Sequence, residues 1–293
     1  YRFLSRLSLS RDIGTQYEYS NLGAGLLGHA LARKAAGSYE EALATRVLAP
    51  AGLDDTRITL TPEMQRRLAV GHDAEGTAAA NWDLPALAGA GALRSTAEDV
   101  LDFLAANMDA RAASAAAYRM AREPRRDAGP GMRIGLGWHL RSQGDRVYVW
   151  HNGQTGGYHS FAAFDPATRT AVVVLSNSAS NIDDIGWHVL DPGLPLVASR
   201  SAAPVQVAET VLERYTGVYE LSPAFRIEVT REGDRLFAQA TNQPRFRLFP
   251  SAPNEFFLRV VEARVTFESN PDGTVGRLVL HQAGRNTPGA KIR

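Results

Sequence analysis

The hydrophobic pattern changes its period along this chain, and that change limits the folds that the chain can adopt. Apolar side chains recur at helical spacing in residues 22–36, 39–47 and 97–108. From about residue 132 the pattern becomes one of strand-length segments, namely residues 133–140, 146–150, 158–164 and 170–175. A last helix is predicted over residues 181–190. This order of elements predicts an α+β fold in which helices pack on an antiparallel sheet.

Two local patterns sharpen this prediction. Ser95-Thr96-Ala97-Glu98 predicts a capping box at the start of the helix over residues 97–108, with Ser95 as N-cap and Glu98 bonding back to it. We expect one buried face on that helix, formed by Val100, Leu101, Leu104 and Met108. Residues 172–175 are apolar throughout, which is typical of a strand covered on both faces.

Beyond residue 205 the pattern predicts strands only. Seven strand-length segments follow one another at intervals of about ten residues, and residues 232–234 and 270–273 supply turn chemistry. Such even spacing is typical of a small barrel or sandwich. Residues 198–206 are small and include a proline, as linkers often do. We therefore expect two domains, residues 1–200 and residues 205–293.

Composition excludes several classes of partner and chemistry. The 293 residues carry a net charge of +1, which gives no electrostatic basis for binding nucleic acid or an anionic membrane. No apolar run reaches the length of a membrane span, so we expect no membrane insertion. The absence of cysteine excludes disulfides, thiolate catalysis and cysteine metal ligands. The histidines form no His-Glu-x-x-His pattern, and we expect neither a metal nor an organic cofactor.

Two short motifs carry the chemical argument. Tyr19-Ser20-Asn21 opens an apolar run, and His151-Asn152-Gly153-Gln154 follows about 130 residues later. Either motif alone is better explained by structure, as a helix start or a histidine that ends a strand. Their order, with residues 48–56, 90–99 and 175–178, resembles the serine β-lactamase-like hydrolases. That family includes class C β-lactamases, D-Ala-D-Ala carboxypeptidases, esterases and D-aminopeptidases, and the resemblance covers nearly all of residues 1–200.

The resemblance implies an acyl-enzyme mechanism and assigns roles to residues of this chain. Tyr19 corresponds to the family's base, although a phenol needs nearby positive charge to ionise at neutral pH. Asn21 would bind the amide on the acyl side of the substrate. The backbone N–H of Gln154 would be one of the oxyanion donors. Gly153 fits a substrate lying close against the strand. Two further residues, Asn152 and Tyr158, would bind the substrate.

His151 departs from the class C pattern, in which the third motif usually reads Lys-Thr-Gly. An imidazole near its ordinary pKa is only partly charged at pH 7, so it supports a tyrosine anion or a substrate carboxylate less than an ammonium does. Histidine at this position occurs among the esterases and D-aminopeptidases of the family. The substitution therefore favours ester or D-peptide hydrolysis over β-lactam hydrolysis.

The family's first motif, Ser-x-x-Lys, which carries the nucleophile, does not occur in this chain. The two lysines are Lys34 and Lys291, and the residues three positions before them are Leu31 and Pro288. We expect the nucleophile in an N-terminal segment of the same protein that precedes Tyr1. The 293-residue chain alone is then predicted to be inactive. Periplasmic or extracytoplasmic localisation is implied by the family alone.

Two other functions stay open at this stage. The chain could be an inactive binding protein for cell-wall peptides or a lipophilic ligand, since the predicted barrel resembles the lipocalin-like domain appended to some of these hydrolases. The barrel could instead cap the active site or mediate assembly. As an enzyme, the protein would take a small-molecule or peptide substrate.

Overall fold

The computed structural model describes residues 2–9, 11–73, 76–196, 205–282 and 284–293. The chain divides into two compact units. The first consists of Tyr1–Gly71, Ala79–Asn177 and Ile182–Pro195, and the second of His72–Ala78, Ser178–Asn181 and Leu196–Arg293. The predicted domain boundary near residue 200 falls among residues 197–204, which lie outside the described residues, and it stays a prediction.

The first unit contains the predicted helices and a sheet. Its helices are α1 Asn21–Lys34, α2 Tyr39–Leu43, α3 Ala49–Ala51, α4 Pro62–Arg67, α5 Ala97–Met108, α6 Ala115–Ala121 and α7 Asp183–Leu190. A π-helical turn over Ala44–Leu48 joins α2 to α3. None of the helices in the described ranges is long and apolar enough to cross a membrane.

Helix α1 packs through its small residues. Gly25, Gly28 and Ala32 are buried, and a Cβ added at Gly28 would lie 3.0 Å from the Cα atom of Gly89. Only glycine allows the two backbones to approach this closely. Three leucines of α1 are exposed instead, namely Leu26, Leu27 and Leu31, and Leu27 is 61% exposed.

The start of α5 differs from the predicted capping box. Thr96, one residue after the expected Ser95, is the N-cap, and its hydroxyl accepts a hydrogen bond from the N–H of Asp99 at 3.2 Å. Ser95 instead shares a hydrogen bond with Thr56, 2.7 Å between the hydroxyl oxygens. The predicted buried face is also partly wrong, because Leu101 is 41% exposed. Phe103 packs beside Leu104 in its place.

The sheet of the first unit has six antiparallel strands in sequential order. They are β1 Arg126–Gly129, β2 Met132–Ile134, β3 His139–Gln143, β4 Arg146–Thr155, β5 Tyr158–Asp165 and β6 Thr170–Ser176. The single strand predicted over residues 133–140 is wrong, since a turn separates β2 from β3. Gly137 in that turn has a φ of +92°, a backbone conformation that favours glycine.

Helices cover both faces of this sheet, as residues 172–175 predicted. Val172 packs in a cluster with Trp187 of α7, whereas Val173 packs with Leu104 of α5. Neighbouring residues of a strand point to opposite faces, which explains the division. Leu175 is not covered by either helix and is 45% exposed.

The second unit contains a closed barrel of eight strands, each hydrogen-bonded to its neighbours in the chain. Helix α8 Glu209–Tyr215 precedes the strands β7 Gly217–Ser222, β8 Phe225–Glu232, β9 Arg235–Ala240, β10 Arg245–Ala252, β11 Glu255–Phe257, β12 Ala263–Ser269, β13 Val275–Gln282 and β14 Arg285–Lys291. The pairing of β14 with β7 closes the ring. The sequence pattern predicted seven of these strands and missed β14. The prediction of strands only beyond residue 205 is wrong at α8, where Val211, Leu212 and Tyr215 recur at helical spacing and pack in the core of this unit.

Side chains fill the interior of the barrel. Tyr219, Phe256 and Phe267 are at most 1% exposed and pack in one cluster with aliphatic residues of the other strands. Leu212 and Tyr215 of α8 belong to the same cluster. The barrel is therefore held together by a packed core, as small eight-stranded barrels commonly are.

Candidate active site

The two sequence motifs come together in the structure. Helix α1 begins at Asn21 because the Ser20 hydroxyl accepts a hydrogen bond from the N–H of Gly23 at 3.0 Å. Tyr19 therefore lies immediately before the helix, with 57% of its surface exposed. Its ring centroid is 6.3 Å from that of His151 in β4. A tyrosine and a histidine from distant parts of the chain thus face one accessible region.

The hydrogen bonding of His151 defines its neutral form. Nδ1 lies 2.5 Å from the backbone carbonyl oxygen of Asn152. A carbonyl oxygen only accepts hydrogen bonds, so Nδ1 carries the proton in the neutral ring. Nε2 is then the nitrogen that can take up a second proton. His151 can serve as a proton acceptor in its neutral state and as a cation once protonated.

Two residues that sequence reasoning missed complete a cluster of rings around His151. His139 of β3 stacks on His151 with ring centroids 5.1 Å apart, and the Tyr17 hydroxyl lies 3.3 Å from Nε2 of His139. Burial, together with the nearby His151, lowers the pKa of His139 to about 4, so this ring is neutral at pH 7. Burial, together with the nearby Tyr19, raises the pKa of Tyr17.

The sequence contained a weak signal for one of these two residues. Tyr17 lies two positions before Tyr19 in the segment that leads into α1, and side chains two positions apart share a side wherever the backbone is extended. His139 gave no such signal, because its place depends on the register that pairs it with Trp150.

Strand β4 extends past its neighbour on one side. Pairing between β3 and β4 ends with His139 and Trp150, whereas pairing with β5 continues to Thr155. Residues 151–155 therefore continue beyond the end of β3, a geometry that can receive an extended substrate along the strand. At Gly153, a Cβ would lie 2.7 Å from the Ser160 hydroxyl oxygen. Gln154, the predicted oxyanion donor, lies in this exposed segment.

The Asn152 side chain takes part in a network on the α7 side of the sheet. Its Nδ2 donates to Oδ2 of Asp183 at 2.7 Å, and Nε2 of His159 lies 3.0 Å from Oδ1 of the same carboxylate. His159 is 4% exposed. The prediction that Asn152 binds substrate stays a prediction, with this donor engaged by the protein.

The last two predicted site residues lie in different settings. The Tyr158 hydroxyl donates towards the carbonyl oxygen of Ala69 at 2.6 Å and lies 2.9 Å from Oδ1 of Asn81, so it connects β5 to the segments that contain these two residues. Asn21 is exposed as the first residue of α1. The structure thus joins Tyr19 with His151 and Asn152 with Asp183, and it places the Tyr158 hydroxyl in hydrogen bonds with Ala69 and Asn81.

Comparison with known proteins identifies the family. Residues 1–188 match the Beta-lactamase family, and residues 201–290 match a domain of unknown function, DUF3471. A penicillin-binding protein of Bacillus subtilis (strain 168) is 27% identical over 91% of this chain and 64% of its own length. The D-alanyl-D-alanine-carboxypeptidase/endopeptidase AmpH of Escherichia coli (strain K12) is 27% identical over 69% of this chain and 57% of its own length. The chain thus spans roughly half to two thirds of the length of these curated relatives.

Solved structures show the same fold. The D-alanine carboxypeptidase AmpC from Burkholderia cenocepacia has a TM-score of 0.61 and 21% identity, covering 65% of each chain. A protein described as SurE has a TM-score of 0.55 and 21% identity, covering 99% of this chain and 72% of its own. The chain belongs to the Beta-lactamase family of serine hydrolases.

Proposed function

We propose that this chain forms the greater part of a serine hydrolase that works through an acyl-enzyme and acts on esters or D-amino-acid peptides. The observation that carries the proposal is the pairing of Tyr19 with His151, whose ring centroids are 6.3 Å apart although the residues are distant in sequence. The family relationship supports the reaction class, and the pair supplies groups that such a reaction uses.

Each site residue has a role in this proposal. Protonated His151 stabilises the phenolate form of Tyr19, which takes the proton of the serine nucleophile and becomes the neutral phenol. The backbone N–H of Gln154 donates to the oxyanion, while Gly153 leaves room for the substrate beside the strand. Asn21 binds the acyl-side amide. Asn152, within the same segment of β4, and Tyr158, which pairs with Thr155 at its end, contribute to substrate binding.

The substrate class follows from the charge of the third motif. A histidine supplies less positive charge at pH 7 than the lysine of class C enzymes, so binding of a substrate carboxylate depends on pH. Neutral esters and D-peptides are therefore preferred to β-lactams. Names of related proteins support the choice of D-amino-acid probes, since one relative is a D-alanyl-D-alanine-carboxypeptidase/endopeptidase and one solved structure is SurE with D-Leu.

The nucleophile belongs to a segment that precedes this chain in the natural protein, and the 293 residues alone are inactive in this proposal. The location is periplasmic or otherwise extracytoplasmic. The barrel is a separate, lipocalin-like domain from about residue 205 onward. Its core contains buried Tyr219, Phe256 and Phe267, so we do not assign a lipophilic ligand to its interior.

The test uses the natural protein that contains this chain. Hydrolysis of p-nitrophenyl acetate and of D-alanine p-nitroanilide is measured for the wild type and for Tyr19→Phe, with Tyr118→Phe as a control that removes a hydroxyl from α6. We expect Tyr19→Phe to reduce kcat/KM by about a hundredfold or more, as loss of a general base does. Equal activity of Tyr19→Phe and the wild type would refute the assigned role.

A second variant tests the role of His151. His151→Lys places an ammonium beside Tyr19, so the dependence of the rate on histidine protonation should disappear and the pH profile should shift. Circular dichroism of this variant confirms that the fold is retained. An unchanged pH profile would show that His151 does not act at the reaction centre.

A further inference from the structure

We propose that Asp183 is a positioning residue that fixes the β4 backbone at Gly153 and Gln154. The proposal deepens the function above, because the N–H of Gln154 is the oxyanion donor proposed there. Asp183 is the first residue of α7. The structure also gives its carboxylate two partners on two neighbouring strands, Asn152 on β4 and His159 on β5.

These two partners lie on either side of Gly153. Asn152 directly precedes it, and His159 is paired across the strands with Gln154, the residue that follows it. Directly paired residues of antiparallel strands have their side chains on the same face, so Asn152, Gln154 and His159 share the α7 side of the sheet. A carboxylate that holds both Asn152 and His159 therefore restrains the segment between them. We call this arrangement the Asp183 bridge.

Burial makes the Asp183 bridge strong. The side chain of His159 is 3% exposed and that of Asp183 is 18% exposed. Water competes little for these hydrogen bonds, and bonds to a charged group are stronger than bonds between neutral groups. A carboxylate accepts only, so Nε2 of His159 donates to it. Nδ1 of His159 is buried without a hydrogen-bond partner among the described residues, which leaves Asp183 as the group that orients this ring.

Helix α7 holds the carboxylate in a defined place. The Trp187 ring packs against the rings of Trp150 and Phe161, with centroids 5.2 and 5.0 Å away. At Gly186, a Cβ would lie 2.1 Å from the Phe161 ring, so helix and sheet are in close contact there. Sites built on packed elements hold their groups more accurately than sites on loops. Asp183 thus links the packed helix α7 to β4, the strand that carries the third motif.

The first test is hydrogen exchange on the 293-residue chain, which requires no catalytic activity. In Asp183→Asn, the amide side chain has one oxygen that accepts and one nitrogen that donates. Either Asn152 or His159, both of which donate to the carboxylate, would then face a donor and lose its hydrogen bond. We expect amide exchange in residues 151–155 to rise by about tenfold to a hundredfold, as loss of a buried bond to a charged group predicts. Asp184→Asn makes the same change of charge one residue further along α7 and should leave exchange in that segment unchanged. Equal exchange in both variants would overturn the proposal.

The second test uses the natural, full-length protein. Asp183→Asn and His159→Leu should lower kcat by about tenfold to a hundredfold with KM within about twofold, because a displaced oxyanion donor weakens transition-state binding selectively. His159→Gln retains a donor near the position of Nε2 and should restore most of kcat. A rise in KM alone, or no rescue by His159→Gln, would contradict a positioning role.

The outcomes separate the two proposals. If the wild-type full-length protein forms no acyl-enzyme, the proposed function fails, and the exchange experiment still decides whether Asp183 fixes the strand. If the enzyme is active but Asp183→Asn exchanges like the wild type, only the positioning role fails.

Discussion

His139 makes the stability of the first unit depend on pH in a predictable way. Burial and the neighbouring His151 lower its pKa from 6.5 to about 4 in the folded chain. Between these two pH values the unfolded chain binds a proton that the folded chain does not. Lowering the pH through this window therefore favours unfolding, and the effect is absent above about pH 7.

The magnitude follows from the two pKa values. A difference from 6.5 to about 4 corresponds to a loss of up to about 2 kcal/mol at pH 5 and about 3 kcal/mol at pH 4. These are upper values, because water screens the charge of a half-buried ring. His139→Gln removes the titrating group and should remove this part of the pH dependence while leaving the carboxylates unchanged.

Tryptophan fluorescence during urea unfolding provides the assay. The four tryptophans are Trp82, Trp138, Trp150 and Trp187, all in the first unit, so the signal reports on that unit. The free energy of unfolding is measured between pH 7.5 and pH 4.5 for the wild type and His139→Gln. The wild type should lose more stability on acidification than the variant, by up to about 2 kcal/mol at pH 5. If the free energy of unfolding fell equally with pH in the two proteins, His139 would not be the source of this pH dependence.

Three further predictions concern packing and helix capping. Gly186→Ala places a Cβ 2.1 Å from a phenylalanine ring of β5 and should cost about 1–3 kcal/mol in the tryptophan assay, whereas Gly23→Ala, with its nearest contact at 3.4 Å, should not destabilise the unit. Thr96→Ala should cost about 1 kcal/mol by removing the N-cap bond to Asp99, and Thr96→Ser should retain most of that stability. Phe267→Ala in the barrel core should lower the free energy of unfolding of the barrel by about 3–5 kcal/mol, measured by circular dichroism during urea unfolding.

Hydrophobic periodicity predicted much of the fold. The errors occurred where a strand lacks an apolar pattern or where two neighbouring residues are equally good helix caps. The helices near residues 22–36 and 97–108 and seven of the eight barrel strands carry clear apolar patterns. Strand β14, Arg285–Lys291, was missed because its sequence is mostly polar and includes a proline and a glycine. The N-cap of α5 was misplaced by one residue, since Ser95 and Thr96 are both good caps and only the tertiary bond between Ser95 and Thr56 separates them.

Site residues that belong to a sequence motif could be predicted. Site residues that depend on the register between paired strands could not. Tyr19 and His151 were found from their order in the chain, and the structure brings them together. Alternation along β4 puts Asn152 on the opposite face from His151, where Asp183 binds it. His139 has no local signal, because it reaches the site through pairing between strands.

The central claim is that Tyr19 activates a serine nucleophile in the natural protein. The most direct measurement is the intact mass of that protein after treatment with a fluorophosphonate, compared between the wild type and Tyr19→Phe, with the 293-residue chain treated in parallel. We expect a single adduct on the full-length wild type, much slower labelling of Tyr19→Phe, and no adduct on the 293-residue chain. An adduct on the 293-residue chain, or equally fast labelling of Tyr19→Phe, would contradict the claim.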